Sequence, residues 1–304
     1  LIRLSLNARR SFWLNSKVTD GPVTRTVTPK ELLYRFRRQA GAAGISDLEL
    51  RVLLGHALDL DQAGLIARSG CRLDGDQIAV FTSLVHRRTE GVPVSYLTGT
   101  REFWSLPIRV NPHVLIPRHQ TECVVERVLA HTCPAAKPGI LELGTGSGAI
   151  SLALASELPS GRIIATDISA EALEVAGMNQ RRLGLDNIRF VRNDWFDGLG
   201  AREFEVICSN PPYIDPKDRH LDSGDVRFEP RIALVAEDSG YADLEHIIGT
   251  APRYLAERGW LVLEHGYRQG ETVRAIFNDS GYRAVTTHLD LEGNERVTEG
   301  RYSG

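Results

Sequence analysis

No apolar run in this 304-residue sequence approaches the roughly 18 to 20 residues a bilayer-spanning helix needs, so no membrane-spanning helix is expected. Nor is there a CxxC pair. Cys71, Cys123, Cys133 and Cys208 show no metal-type spacing with histidine, which argues against both a disulfide framework and zinc. No metal is expected, and a reducing, cytoplasmic setting is the simpler expectation. A basic excess is missing too: 36 basic residues face 39 acidic ones, for a formal net charge of -3. Proteins that live on the phosphate backbone carry a basic excess or a concentrated basic face, so nucleic acid is a disfavoured partner. No repeat of solenoid length and no low-complexity tract occur. Acidic residues are absent before Asp20, while the opening carries Arg3, Arg9, Arg10 and Lys17. Such a start looks like an organellar transit peptide, which would make the location mitochondrial, and an upstream extension looks the same. Residues 1–27 are therefore set aside as an extension, expected to be disordered. The sequence as a whole is 42% hydrophobic and 25% charged, close to the soluble globular average. At roughly 150 residues per domain this predicts two domains, in a protein expected to be a monomer.

Thr28-Pro29-Lys30-Glu31 combines a cap, a proline suited to the first helical turn and an acid that can close a capping box, so a helix begins there. Ser46-Asp47-Leu48-Glu49 repeats the spacing, with an apolar stripe predicted over Leu48, Val52 and Leu53. A third helix is predicted from about Asp76 to Arg88, carrying Ile78, Val80, Phe81, Leu84 and Val85, and Gly91-Val92-Pro93 stops it. Residues 28–98 thus read as a small all-helical domain. From 99 to 118 polar and apolar residues alternate and Asn111-Pro112 breaks the alternation, which predicts a β-hairpin linker. From 119 to 304 the rhythm changes. GILELG, GRIIATD, NIRFVR and FEVICSN are short apolar strands separated by helical segments at 148–158 and 170–183, the β-α-β pattern of a doubly wound parallel sheet. GWLVLEHG, YRAVTTHLD and ERVTEGRY add strands, the last ones close enough for an antiparallel edge.

LELGTGSGAI ends a strand and starts a helix, with Gly144, Gly146 and Gly148 at alternate positions. Glycine lets the chain turn tightly and lets a ligand lie on bare backbone, beside unpaired N–H groups of a helix start. With Ala149 the loop also satisfies the G-x-G-x-x-G/A dinucleotide pattern. The next strand ends in Asp167, placed to hydrogen-bond a ribose diol. An adenosine-bearing methyl donor and NAD both satisfy that arrangement.

FEVICSNPPYI is a buried strand that stops at Asn210-Pro211-Pro212-Tyr213. Carboxyl ends of strands form the ligand crevice of an open α/β sheet, so this tetrapeptide is expected to face the glycine loop. Two prolines stiffen the backbone and donate no N–H, leaving neighbouring carbonyls unpaired. The Asn210 amide oxygen and the Pro211 carbonyl can then accept the two protons of a planar NH2 group, with Tyr213 on its flat face. A planar amide nitrogen is a poor nucleophile because its lone pair is delocalised. Hydrogen bonds that strengthen as positive charge grows on that nitrogen favour methyl transfer by differential binding.

The set LELGTGSG, ATD, RNDWF and SNPPYI, with REFWSLPIRVNPHVLIPR ahead and VRFEP and NERVTEGRY behind, closely resembles the HemK/PrmC protein-(glutamine-N5) methyltransferases over about residues 30 to 302. The resemblance implies a class I methyltransferase fold: a Rossmann-like, seven-stranded, mostly parallel sheet with a small helical N-terminal domain and a hairpin linker. It implies methyl transfer from S-adenosylmethionine, with S-adenosylhomocysteine as product, to the Gly-Gly-Gln glutamine of class-1 peptide chain release factors. It assigns the donor to Gly144, Thr145, Gly146, Ser147 and Gly148, with Asp167 on the ribose, Asp194 and Trp195 on the adenine side, and Asn210 bordering the methyl. Asn210, Pro211, Pro212 and Tyr213 become the glutamine site, with Asn210, Pro211 and Tyr213 carrying catalysis. One departure is visible. The family usually has proline and an acid where His119 and Gln120 stand here, between Arg118 and Thr121-Glu122. A rigid residue and a charge are thereby removed from a segment expected near the cleft.

Two other readings use the same residues. An amino-methyltransferase acting on adenine or cytosine would need the same planar NH2 geometry, but also a surface for the strand, and no basic, aromatic-interleaved segment is evident. An NAD-binding Rossmann protein fits the glycine pattern and leaves Asn210 to Tyr213 without a purpose. Two further features attract smaller expectations: a long aperiodic stretch from Ile214 to Gly240 as a lid with Arg227, Phe228 and Glu229 near the tetrapeptide, and His265 as a structural histidine.

Overall fold

The computed structural model describes residues 27–133, 137–200 and 203–303. The expectations for residues 1–26 lie outside them. Val27, counted above with the extension, is buried, and its carbonyl accepts the Leu73 N–H at 2.9 Å. The chain divides into two compact units between Ser83 and Leu84.

In the first unit α1 (Pro29–Ala42) opens on the expected capping box: the Thr28 N–H donates to Glu31 Oε2 at 3.0 Å and the Glu31 N–H to Thr28 Oγ1 at 3.3 Å. Ser46 and Glu49 repeat the exchange at 3.2 and 2.7 Å to start α2 (Asp47–Leu58). The apolar stripe of α2 differs from the prediction. Leu48 faces solvent, 66% exposed, whereas Leu50, Leu53 and Leu54 are buried, the i, i+3, i+4 set of one helical face. A short α3 (Gln62–Ala67), which the apolar spacing did not signal, is capped by Asp61. α4 (Gly75–Thr89) follows, with Phe81 buried and its ring 5.1 Å from Phe36, edge to face, while Val80 points outward.

The second unit contains α5 (Val94–Thr98) and an antiparallel hairpin of β1 (Thr100–Phe103) and β2 (Leu106–Arg109). Its turn is Trp104-Ser105, both at positive φ (50° and 58°), not the Asn111-Pro112 break, and 110–118 continues without regular structure. Trp and Ser are unusual in such a turn. They are held there by Glu122, which accepts the Trp104 N–H at 2.9 Å, and by Glu157, which accepts the indole Nε1–H at 2.8 Å.

Then come α6 (Glu122–Ala130), β3 (Gly139–Leu143), α7 (Ala149–Glu157), β4 (Arg162–Asp167), α8 (Ala170–Leu183), β5 (Ile188–Arg192) and β6 (Phe204–Ser209). They are followed by α9 (Ala242–Thr250), β7 (Leu255–Glu264), α10 (Gly270–Asp279), β8 (Arg283–Leu289) and β9 (Glu295–Arg301). The seven strands run β5-β4-β3-β6-β7-β9-β8, all parallel from β5 to β7, with β9 antiparallel to both neighbours. This is the seven-stranded, mostly parallel sheet expected. Successive residues of a strand point to opposite faces, and the two cores follow that alternation. Ile140, Ile163, Val206 and Val262 meet α6, α7 and α8 on one face; Leu141, Leu143, Ile207 and Leu263 meet α9 and α10 on the other. The chain runs outward from β3 through β4 to β5 and then returns to β6, so the switch in direction falls between β3 and β6.

A charged cluster buttresses the far edge. Glu299 on β9, 4% exposed, accepts from Arg127 Nε at 2.9 Å and Nη2 at 3.1 Å. His131 Nε2 and His288 Nε2 lie 2.9 and 3.1 Å from the same carboxylate, off the hydrogen-bonding direction. The His131 ring stacks on Trp260 with centroids 3.7 Å apart.

Candidate active site

At the switch between β3 and β6, beyond the carboxyl ends of the strands, a cavity of about 220 Å³ opens. This is where ligands bind in open α/β sheets. Of the residues assigned to the site, Gly144, Gly146, Asp167, Asp194, Trp195, Asn210 and Pro212 line it. Thr145, Ser147, Gly148, Pro211 and Tyr213 stand behind that wall.

The glycine loop leaves β3 with Gly144, Gly146 and Gly148 all at positive φ. At Gly148 a side chain would also meet Ala176, Leu152 and Phe190 at 3.2 to 3.3 Å, so glycine there lets α7 pack against its neighbours. Buried Thr145 donates its hydroxyl proton to Glu142 Oε2 at 2.6 Å, and the Ser151 N–H reaches the same oxygen at 3.1 Å. Burial pushes the Glu142 carboxyl up to about 7, against those two contacts. Sequence reasoning passed over Glu142, although an acid inside the apolar run LELG is itself a signal. The loop is tied across to β4: the Gly146 N–H donates to Asp167 Oδ2 at 2.8 Å, and the Ser169 N–H to Oδ1 at 2.9 Å. Burial raises the Asp167 pKa, opposed by these backbone donors. Each carboxylate oxygen accepts more than one hydrogen bond, so Asp167 can serve the loop and a ligand hydroxyl together.

After β5, Asn193 Nδ2 donates to the Trp195 carbonyl at 2.9 Å and Trp195 takes φ 43°, uncommon for a bulky residue. The indole is thereby laid beside Gly144. Asp194 and Asp243 add two carboxylates at this end.

At the tip of β6, Asn210 Nδ2 donates to Thr121 Oγ1 at 3.2 Å; among the described residues no donor reaches Asn210 Oδ1. The Tyr213 ring packs against the α9–α10 face of the core, and its hydroxyl donates to Glu264 Oε1 at 3.1 Å. Burial, reinforced by that carboxylate, raises the Tyr213 pKa. Contrary to the expectation from the sequence, not every carbonyl around the prolines is unpaired: Gln269 Nε2 donates to the Tyr213 carbonyl at 3.2 Å and also to that of Gly240 at 3.2 Å. Gly240, at φ 88°, approaches Tyr213 so closely that a side chain there would overlap its carbonyl.

The stretch from Ile214 to Gly240 is an ordered loop whose ends meet, with the Ile214 N–H donating to the Leu234 carbonyl at 2.9 Å and the Ala236 N–H to that of Ile214 at 3.1 Å. Pro230, Ile232, Ala233 and Val235 form its cavity wall, opposite His113, Val114 and Leu115. Buried Glu229 joins the two walls: it accepts from Arg118 Nη2 at 2.5 Å and from the Ile116 N–H at 3.3 Å. Arg227 turns away, its guanidinium over the Phe228 ring and donating to the Glu90 carbonyl. The departure from the family pattern falls beside this tie: His119 lies exposed on a short 3-10 turn, and neither it nor Gln120 lines the cavity. His265 is fully buried between the Gly266 carbonyl and Thr298 Oγ1, at 2.9 and 2.8 Å, which gives it a packing role.

Such a cavity can hold an adenosine between an acid, an indole and bare glycine backbone, and offers an open amide acceptor to a second molecule. The chain is also similar to known proteins. The PrmC N-terminal domain family matches residues 31–99 and the methyltransferase small domain family residues 124–226. The release factor glutamine methyltransferase of Salmonella typhimurium is 48% identical over 255 residues, 84% of this chain and 92% of the relative. That of Xylella fastidiosa is 43% identical over 265 residues, 87% and 96% of the two chains. Among solved structures, a methyltransferase from Pyrococcus furiosus aligns with a TM-score of 0.51 at 18% identity, covering 66% of this chain and 90% of its own, and shares the fold.

Proposed function

The chain belongs to the release factor glutamine methyltransferase family, and from that membership we propose that it methylates N5 of the Gly-Gly-Gln glutamine in class-1 peptide chain release factors, using S-adenosylmethionine. The observation that carries this reading is the Asn210 amide, turned by Thr121 so that its oxygen stays open where the strand tip meets the glycine loop. When bound, S-adenosylmethionine supplies an electrophilic methyl on a sulfonium. Asp167 holds the ribose hydroxyls, Gly144 and Gly146 give close backbone approach, and Trp195 with Asp194 takes the adenine. Thr145, Ser147 and Gly148 shape the loop from behind. Asn210 Oδ1 and the Pro211 carbonyl accept the two amide protons of the glutamine. These bonds strengthen as charge develops on nitrogen, so they stabilise the transition state more than the bound amide. Pro212 stiffens the tip, and Tyr213 anchors it through Glu264.

The experiment is transfer of labelled methyl to a release factor, to its Gln-to-Ala variant and to duplex DNA. Label in the intact factor alone supports the reading; label in DNA alone overturns it. Asp167→Ala is expected to weaken donor binding by about 1 to 3 kcal/mol, the range of a hydrogen bond to a charged group. Calorimetry checks this, and an unchanged dissociation constant removes Asp167 from the ribose.

A further inference from the structure

The loop from Ile214 to Gly240 leaves the tip of β6 and comes back beside it, carrying one wall of the cavity on Pro230, Ile232, Ala233 and Val235. Its two ends therefore set where that wall stands against the tip. At those ends the Tyr213 and Gly240 carbonyl oxygens both lie 3.2 Å from a single nitrogen, Gln269 Nε2. Two carbonyls turned toward one point repel each other, and each needs a donor once it is buried. One NH2 group serves both.

Gln269 is held firmly enough to do this. It is 8% exposed and precedes α10, its own N–H donating to the Gly266 carbonyl and its carbonyl accepting from the Val273 N–H, each at 2.9 Å. Its side-chain Oε1 accepts the Gly266 N–H at 2.8 Å. That contact fixes the orientation of the amide, since an N–H needs an acceptor where two carbonyls need a donor. Both Nε2 protons and Oε1 are thus engaged, although Gln269 does not line the cavity. The loop is fastened again at its far side, where Glu229 accepts from Arg118 and from the Ile116 N–H.

We propose that Gln269 is a positioning residue for methyl transfer: by joining Tyr213 to Gly240 it holds the Asn210–Tyr213 tip and the loop wall in one fixed relation, so that the glutamine amide meets the methyl in line. The inference rests on the methyltransferase reading above and deepens it. Alignment of two reacting groups is worth much of a barrier, and small displacements forfeit it.

Gln269→Glu is the sharpest variant. It keeps the shape and the acceptor for Gly266 but puts an oxygen where the two-proton donor stood, so Tyr213 and Gly240 lose their shared partner. Gln269→Met fills the same space with no donor, and carries the test if the buried acid spoils folding. In both, kcat is expected to fall about tenfold, the scale of one hydrogen bond. Donor affinity is expected to hold, because Gly144, Asp167 and Trp195 lie on other elements. A packing role would lower the melting temperature and leave kcat of the folded protein untouched. Wild-type kcat in either folded variant overturns the inference, as does a donor affinity that falls along with kcat. Hydrogen exchange reads the joint without reference to activity. The Ile214 and Ala236 amides, which close the base of the loop, are expected to exchange faster in the variants, while those of β3 and β4 keep their protection. Unmoved exchange at the base, or faster exchange throughout the sheet, overturns the positioning role. A wild-type protein that leaves the release factor unlabelled sinks the proposed function, and this exchange still decides whether Gln269 holds the loop.

Discussion

Replacing Asn210 with alanine is expected to lower the rate of methyl transfer by about 10² to 10³, the cost of removing one pre-organised hydrogen-bonding partner from a developing charge. Donor affinity should hardly change. Asn210 meets the cavity at the mouth of β6, whereas the assigned donor contacts are carried by the glycine loop, Asp167 and Trp195. The fold should survive, since the half-buried side chain makes a single hydrogen bond, to Thr121. Single-turnover transfer together with calorimetry separates these effects. Loss of donor binding with the transfer step intact would place Asn210 on the donor rather than on the acceptor.

Glu299→Gln is expected to be the most destabilising change away from the cavity, at about 3 kcal/mol, because it takes the carboxylate from a buried group that Arg127, His131 and His288 surround. Burial by itself would raise the Glu299 pKa, but contacts with His131 and Arg127 outweigh it and bring it from 4.5 down to about 2. A carboxyl whose folded pKa lies below its unfolded one contributes stability that is complete above the unfolded value and disappears as pH falls through the folded value. The contribution therefore fades between about 4.5 and about 2. Urea unfolding at neutral pH should show the loss, and the difference between wild type and variant should shrink in that acid window. A variant within about 0.5 kcal/mol of wild type at neutral pH, the range of an ordinary surface change, would show that the cluster contributes no net stability.

Much of the cavity wall could be read in advance because its parts are local. A glycine loop, an acid at the next strand end and a proline-stiffened tip each lie within a few consecutive residues, and the parallel sheet brings those ends together without further instruction. The capping boxes at Thr28 and Ser46 were legible for the same reason. What escaped notice depends on partners far apart in the chain. Thr121 meets Asn210 across 89 positions and Tyr213 meets Glu264 across 51, and no spacing rule connects them. The hairpin was expected but its turn was not located, because Trp104 and Ser105 are poor residues for it and the carboxylates that hold them lie on α6 and α7. Leu48 was assigned to the core by its period, but helical periodicity fixes the width of an apolar face better than its angle.

Placing β9 between β7 and β8 puts the seventh strand of the sheet in its interior. During synthesis on the ribosome, β7 emerges long before its neighbour and β8 has nothing to pair with until residues 295–301 clear the exit tunnel. A nascent chain stalled short of that point leaves two bare strand edges, the template on which chains stick to one another. Loss of β9 (Glu295–Arg301) would therefore be felt first as aggregation rather than as a weakened catalyst.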